Sequence, residues 1–164
     1  MMMKARLMFS LLAAGLLLSA CSPAPQNTGP EAIAPLVDIQ THDSKRDRDL
    51  AIRWWTPANI DGQRKYPLVI YAHGLGGNLE DSRWAGEYLA SHGFIVAAPR
   101  FPKTNGGDLE NMDMNDLLNQ PGDISWVIDV ATGLKAGLPD RLKDAVDGSR
   151  MALAGHSFGG LTTY

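Results

Sequence analysis

The ten residues from Met151 to Gly160 read MALAGHSFGG, and they join a short apolar run to a glycine-rich turn. Met151–Ala154 has the length and composition of a buried strand. The next five residues, 155–159, fit the pattern G-x-S-x-G, in which a very sharp strand-to-helix turn holds a serine in a strained backbone conformation. Side chains two residues to either side of that serine would collide, so glycine is needed there. The stretch predicts that Ser157 projects above the end of a strand as a nucleophile.

A five-residue pattern is short, and its occurrence alone is a weak signal. The alternative is an ordinary glycine-rich turn that carries a surface serine. The position of the pattern, between an apolar run and a plausible helix start, favours the nucleophile. We refer to residues 155–159 as the Ser157 turn.

A second glycine-rich turn follows another apolar run. Leu68–Ala72 reads LVIYA, and residues 73–77, which we call the His73 loop, read HGLGG. Acyl transfer passes through an oxyanion, and glycine lets backbone N–H groups approach it closely. Taken alone, the loop could also be a tight turn or a phosphate-binding loop, but it lacks the Lys-Ser/Thr ending and the third glycine of the common nucleotide motifs. Two such loops in one chain and in this order predict a site for acyl transfer far more specifically than either loop does alone.

The remaining apolar pattern alternates between strands and helices. Four strands are predicted, at 50–55, 68–72, 94–98 (stopped by Pro99) and 151–154. A first helix is predicted to end at Gly93. One face of it carries Trp84, Ala85, Tyr88 and Leu89. A second helix is predicted to begin at Pro121 and to carry apolar residues at Ile124, Val127, Ile128 and Ala131. Strands that alternate with helices indicate an α/β fold with a parallel sheet flanked by helices.

These motifs resemble those of the α/β-hydrolases, within them the branch of dienelactone-hydrolase-like proteins and platelet-activating-factor acetylhydrolases. The resemblance covers residues 49–164 and rests on the Ser157 turn and on residues 67–77, 89–99 and 117–124. It implies that Ser157 is the nucleophile and that the N–H groups of Leu75 and Phe158 form the oxyanion hole. True dienelactone hydrolases have cysteine at the nucleophile position, so the resemblance indicates ancestry and does not identify a substrate.

The resemblance implies hydrolysis of a small carboxylic ester through an acyl-enzyme intermediate, without a cofactor or a metal ion. A thioesterase, an amidase or a peptidase on the same scaffold stays open, because a fold does not fix a reaction. The alternative from another class is a lipid-anchored protein without catalysis, either a binding module or a degenerate hydrolase.

A catalytic triad also needs a histidine and an acid, which follow the serine in this fold. Residues 158–164 contain neither. The four histidines, at 42, 73, 92 and 156, have other expected positions: on the surface, in the His73 loop, at a helix end and in the Ser157 turn. We therefore expect the chain to be the incomplete N-terminal half of an α/β-hydrolase fold, from a truncated gene model, a partial sequence or a frameshift; a natural short form is the alternative.

The chain begins with a signal-like segment. Lys4 and Arg6 precede an apolar run at 7–18, too short for a stable membrane span. The run ends in Leu-Ser-Ala-Cys at 18–21, which resembles the bacterial lipobox and implies lipidation of Cys21. An ordinary secretory signal with cleavage after alanine is the alternative. We predict three parts: a signal peptide at 1–20, a lipid-anchored proline-rich linker and lead-in at 21–48, and a partial hydrolase domain at 49–164.

Charge and composition exclude other classes of partner. The net charge is −3 and no basic run follows the signal segment, so nucleic acid is a poor partner. Cys21 is the only cysteine, which excludes an internal disulfide. Asp113 to Asp116 lacks the spacing of a calcium loop, and a solvated acidic loop is expected there. The expected location is the periplasmic side of a bacterial cell envelope, with the outer membrane favoured by Ser22.

Overall fold

The computed structural model describes residues 29–164. The predicted signal peptide and the predicted lipidation site, Cys21, lie outside the described residues. Among residues 29–164, no helix combines the length and the apolar character that crossing a bilayer requires.

The described residues form one mixed sheet of five strands in the order β1-β2-β4-β3-β5. The strands span Val37–Asp43 (β1), Arg48–Trp55 (β2), Tyr66–Ala72 (β3), Ile95–Arg100 (β4) and Val146–Gly155 (β5). Strand β3 runs parallel to both β4 and β5, which confirms the predicted parallel sheet for these three strands. Strands β1 and β2 are antiparallel instead. The four residues between Asp43 and Arg48 can close only a hairpin, since a parallel connection needs a crossover of a dozen or more residues.

Three α-helices accompany the sheet: Arg83–Ser91 (α1), Gln120–Ala131 (α2) and Phe158–Thr162 (α3). Single 3-10 turns lie at Leu79–Ser82, Met114–Leu118 and Asp140–Leu142. Proline stands in the first turn of α2, where its missing N–H costs nothing. Gly93 follows α1 with a φ of 84°, a left-handed conformation that suits the end of a helix. Both predicted helices are therefore confirmed. The start predicted for α2 at Pro121 and the end predicted for α1 at Gly93 are confirmed as well.

The two helices α1 and α2 cover opposite faces of the sheet. Ile124, Val127 and Val130 of α2 pack on the face that carries Leu68 and Ile70. Helix α1 packs on the other face through part of the side predicted for it: Ala85 is buried and Leu89 packs against the core. Trp84 and Tyr88 of that side are exposed, and Gly86 and Ala90 are buried instead. A Cβ placed on Gly86 would lie 2.3 Å from the Trp55 ring. The missing side chain lets α1 lie directly on that large ring.

Buried ion pairs fasten the β1–β2 hairpin to the beginning of α2. Arg48 donates hydrogen bonds to both carboxylate oxygens of Asp116, at 2.8 and 3.0 Å, and of Asp123, at 2.8 and 2.6 Å. Arg46 bonds to Asp43 at 2.5 Å and to Asp123 at 2.8 Å. Burial alone would raise the pKa of Asp116, but hydrogen bonds from Arg48 and Asn119 outweigh it and keep that pKa below its ordinary value. The expectation of a solvated acidic loop is wrong for Asp116, because the hairpin covers it.

Two strand predictions need correction. Strand β4 continues through Pro99 to Arg100, and Pro99 pairs with Ile52 of β2. The pairing of β4 with β3 ends at Ala97, so Pro99 lies where β4 has one neighbour, a position that tolerates proline. Strand β5 is present, but Met151 and Leu153 are each 43% exposed and not buried as predicted. Among the described residues, β5 pairs only with β3.

The sheet also begins earlier than the predicted domain boundary. Strand β1 lies inside the segment 21–48, which was predicted to be a linker and lead-in. It pairs with β2 along its whole length, from Val37 opposite Trp54 to Asp43 opposite Arg48. Lead-in and sheet are thus continuous from residue 37.

Candidate active site

The Ser157 turn has the backbone strain that its sequence pattern predicts. Ser157 has φ 52° and ψ −116°, a conformation that side chains rarely adopt. A Cβ on Gly155 would lie 2.4 Å from the Gly159 carbonyl, and a Cβ on Gly159 would lie 2.2 Å from the carbonyl oxygen of Ala72. Both glycines are therefore required by contacts with backbone, which cannot move aside as a side chain can.

The turn joins the end of β5 to α3 and rests on the end of β3. The His156 N–H donates to the Ala72 carbonyl at 3.1 Å, so the turn is bonded to the neighbouring strand. The N–H groups of Gly159 and Gly160 donate to His156 and Ser157 at 2.9 Å and begin the helix. The Ser157 side chain is exposed. The sequence predicted this placement, a serine presented at the carboxyl edge of a strand.

The His73 loop lies directly beside the Ser157 turn, because β3 and β5 are parallel neighbours and their carboxyl ends share one edge. A Cβ on Gly74 would lie 3.3 Å from the His156 ring and 3.5 Å from the Ser157 Cβ. Any side chain at position 74 would therefore occupy the space against the serine. Gly76 has a φ of 71°, which also favours glycine.

His73 is a structural residue of this loop. Its ring is buried, with Nδ1 2.7 Å from the Gly74 carbonyl and Nε2 accepting the Phe101 N–H at 3.1 Å. These partners require a neutral ring with its proton on Nδ1. Burial lowers the pKa of His73 below its ordinary 6.5. Because both ring nitrogens are occupied, His73 has no free nitrogen to take a proton from Ser157.

Several backbone amides of the His73 loop and the Ser157 turn have no backbone acceptor in the described part of the chain: those of His73, Gly74, Leu75, Ser157 and Phe158. Within the His73 loop, the Gly76 N–H donates to the Thr104 carbonyl at 2.8 Å and the Gly77 N–H to the Gly74 carbonyl at 3.0 Å. The N–H groups of Leu75 and Phe158 have no such partner. These are the two donors that the sequence predicted for an oxyanion hole, and that role stays a prediction.

Sequence reasoning missed a third loop at the site. Residues 101–107, which we call the Phe101 loop, follow β4 and lie against the His73 loop. Gly77 and Asn105 form a parallel bridge, and the Gly106 N–H donates to the Gly77 carbonyl at 2.9 Å. Asn105 binds the carbonyls of Phe101 and Pro102 through its side-chain amide, which holds the loop in shape. Its polar sequence, between a strand and a distant helix, gave no sign of these contacts.

The other histidines take no part in a triad within residues 29–164, where no histidine ring is hydrogen-bonded to Ser157. His42 lies on β1 and bonds to Asp49 at 2.8 Å. His92 ends α1, with Nδ1 2.7 Å from the Tyr88 carbonyl, as its predicted capping role requires. The ring of His156 lies beside Gly74.

The sheet order, the Ser157 turn and the flanking helices define an α/β-hydrolase fold. The chain belongs to the chlorophyllase family, whose sequence model matches residues 31–164. This confirms the relationship to the α/β-hydrolases that the motifs predicted.

Curated relatives support the same relationship. The platelet-activating factor acetylhydrolase of Cavia porcellus is 32% identical over 146 residues, which cover 67% of this chain and 33% of that protein. The cutinase cut1 of Thermobifida fusca is 28% identical over 175 residues, which cover 94% of this chain and 49% of that protein. The chain thus spans a third to a half of the length of these relatives. By name, they are carboxylic-ester hydrolases.

Solved structures share the fold. A ferulic acid esterase from Streptomyces cinnamoneus superposes with a TM-score of 0.59 at 22% identity, covering 87% of this chain and 56% of that one. An esterase from Pyrobaculum calidifontis superposes with a TM-score of 0.55 at 22% identity, covering 81% of this chain and 38% of that one. The described residues therefore form part of a fold that esterases use.

Proposed function

We propose that the protein hydrolyses small carboxylic esters through an acyl-enzyme intermediate. Ser157 Oγ attacks the ester carbonyl, a base takes its proton, and the alcohol leaves. The N–H groups of Leu75 and Phe158 stabilise the oxyanion, and water then releases the acid. The mechanism needs a histidine and an acid, and within residues 29–164 no histidine or acidic side chain is hydrogen-bonded to Ser157.

The observation that carries the proposal is the strained backbone of Ser157, held next to a glycine-rich loop with a free amide. A non-glycine residue with positive φ costs of order 1–3 kcal/mol, and such strain persists where the surroundings enforce it. Here the His156 N–H bond to the Ala72 carbonyl and the close backbone contacts at Gly155 and Gly159 hold the turn. The esterase, cutinase and acetylhydrolase names of the relatives support the same reaction class.

Labelling with a fluorophosphonate tests the proposal, because that reagent phosphonylates an activated serine and not a merely exposed one. We expect the native full-length protein to be labelled on Ser157 and to hydrolyse p-nitrophenyl butyrate. Ser157→Ala should abolish both while the unfolding midpoint stays close to that of the wild type. Ser125→Ala is the matched control, since Ser125 is an exposed serine on α2.

Two outcomes would contradict the proposal. Ester turnover that survives Ser157→Ala would place the nucleophile elsewhere. A folded wild type without labelling or turnover would favour the other class, a binding module or degenerate hydrolase.

The second part of the proposal concerns location. We propose that a lipid on Cys21 holds the protein at the periplasmic side of a bacterial envelope, at the outer membrane. Its support is the sequence at 18–21, where a short apolar run ends in the lipobox-like Leu-Ser-Ala-Cys. Two or more acyl chains give stable anchoring, whereas one alone is marginal.

Mass spectrometry of the protein from its own host tests the anchor. We expect a mature N-terminus at Cys21 that carries acyl chains, and recovery in the outer-membrane fraction. Cys21→Ser should lose the acyl mass and move the protein to the soluble fraction. An unmodified N-terminus at residue 21 or 22 would instead indicate an ordinary secretory signal.

A further inference from the structure

A row of buried hydrogen bonds runs from α3 to the His73 loop. The Thr162 hydroxyl in α3 donates to Gln120 Oε1, and Gln120 Nε2 donates to Thr104 Oγ1 at 2.7 Å. The Thr104 carbonyl then accepts the Gly76 N–H at 2.8 Å. We call Thr162, Gln120 and Thr104 the polar relay.

All three side chains of the relay are closed off from water. Gln120 is fully buried, Thr104 is 1% exposed and Thr162 is 5% exposed. A buried amide that lost a partner would pay the desolvation penalty of an unpaired polar group, so the relay resists partial breakage. Glutamine suits the central position because its amide donates on one side and accepts on the other.

The relay joins the two loops that the proposed reaction needs at a fixed separation. The Ser157 turn belongs to β5 and the His73 loop to β3, and they touch directly through His156, Ala72 and Gly74. That contact leaves the far end of the His73 loop, at Gly76, to be held by other means. The relay contributes to holding it, beside the bond from the Gly106 N–H to the Gly77 carbonyl. The Thr104 carbonyl binds Gly76, and the Thr162 hydroxyl binds Gln120 from the helix that begins immediately after Ser157.

We propose that Gln120 is a positioning residue that sets the distance between the nucleophile and the oxyanion donors. This inference rests on the proposed function. Gln120 does not touch the reacting atoms; it acts through Thr104 on Gly76, the residue after Leu75, and through Thr162 on α3, which begins with Phe158. Losing one oxyanion donor costs roughly 100- to 1000-fold in kcat, and a displacement of about 1 Å far from the chemistry can cost about 100-fold.

The test compares hydroxyl removal with hydroxyl retention in the native full-length protein. In Thr162→Val the hydroxyl is lost and the branched shape is kept; in Thr162→Ser the reverse holds. Gln120→Met removes both bonds at the centre, and Ser125→Ala on the same helix is the control. The readouts are kcat and KM for p-nitrophenyl butyrate, with kcat normalised to the sites that a fluorophosphonate titrates.

We expect Thr162→Val and Gln120→Met to lower kcat per titrated site by roughly 10- to 100-fold, with KM changed by less than about twofold, since the loss is of transition-state stabilisation. Thr162→Ser should stay within about threefold of the wild type. Normalisation to titrated sites removes the effect of partial unfolding. If Gln120→Met fails to fold, the Thr162 pair still decides the question.

Hydrogen exchange gives a readout independent of turnover. The Gly76 amide should exchange faster in Thr162→Val and Gln120→Met than in the wild type, while amides in the centre of β3 keep their protection. Unchanged kcat per site in an active protein, or equal losses in Thr162→Val and Thr162→Ser, would overturn this inference and leave the proposed function standing. A wild type without labelling would overturn both.

Discussion

At the scale of single residues, the site depends on backbone conformations that only certain side chains allow. Ser157 has a φ of 52° in a turn that is bonded to β3 through the His156 N–H and the Ala72 carbonyl. Gly155 and Gly159 are the residues that make this turn possible, since any Cβ there would meet backbone atoms at 2.2–2.4 Å. The strained backbone of Ser157 and the two glycines therefore belong to the same tight turn.

Two adjacent glycines allow a matched test of that argument. Gly159→Ala should destabilise the protein by about 1–3 kcal/mol, as overpacking against the Ala72 carbonyl does, and should reduce labelling of Ser157. Gly160→Ala meets nothing nearer than 3.8 Å and should be neutral or stabilising by up to about 1 kcal/mol in the helix. Chemical denaturation measures both. Equal losses in the two variants would refute the steric explanation.

His73 predicts a pH dependence of stability. Burial lowers its pKa in the folded state below 6.5, whereas the unfolded chain takes up the proton at about 6.5. The contribution that the neutral His73 makes to the free energy of unfolding is therefore complete above pH 6.5. It is lost as the pH falls toward the folded-state pKa. The free energy of unfolding changes with pH by at most about 1.4 kcal/mol per pH unit through this one group. Denaturation of the wild type and His73→Gln at pH 7.5 and 5.5 measures it. The variant should lose less stability on acidification; an equal loss would assign the effect to other groups.

At the scale of elements, the β1–β2 hairpin is attached to the rest of the domain both by the pairing of β2 with β4 and by ion pairs to the segment that begins α2. Arg48 reaches two carboxylates from different elements, Asp116 and Asp123, and both are buried. The pKa of Arg48 is raised by these carboxylates in spite of its burial. The ion pairs define where the hairpin lies, because an Arg–carboxylate pair has a fixed planar geometry.

Removing Arg48 leaves the buried Asp116 without a cation and the buried Asp123 with Arg46 alone. Arg48→Met should therefore lower the free energy of unfolding by about 3–5 kcal/mol, the usual cost of breaking a buried pair from one side. Lys143→Met is the control, because the Lys143–Asp140 pair is exposed and its loss should leave the unfolding midpoint unchanged. Urea titration measures both variants. A small effect of Arg48→Met would mean that water reaches the carboxylates and replaces the guanidinium.

At the scale of the whole molecule, the sheet has two unlike edges. The β1 edge carries charged and polar side chains, such as Asp38 and His42. The β5 edge presents Met151 and Leu153 to solvent, opposite Leu68 and Ile70 of β3 in the strand register. An exposed, apolar edge strand is a template for pairing with another chain.

A polypeptide of residues 29–164 should accordingly self-associate through β5. Leu153→Lys should shift it toward the monomer, since a charge on an edge strand opposes pairing. Leu134→Lys places the same charge on another exposed leucine, away from β5, and should have little effect. Light scattering with size-exclusion chromatography measures the change. If both variants shift the polypeptide equally toward the monomer, net charge and not the β5 edge controls association.

The sequence by itself determined four of the five strands (β2 to β5), the helices α1 and α2, and the two glycine-rich turns of the site. These features depend on residues close together in the chain: an apolar run followed by glycines at fixed spacing allows few backbone paths. It also predicted the α/β-hydrolase relationship and the serine that faces solvent, because the Ser157 turn is a local steric solution.

Only the tertiary structure decided how these parts are joined. Pairing of β2 with β4, packing of Gly86 on Trp55, burial of Asp116 and the polar relay all depend on residues far apart in the chain. Arg48 and Asp123 are 75 positions apart, and Thr162 and Gln120 are 42 apart. Periodicity and turn chemistry describe neighbours along the chain, so they do not specify which distant polar groups become partners. Those partners are chosen when the sheet and helices pack and exclude water from the space between them.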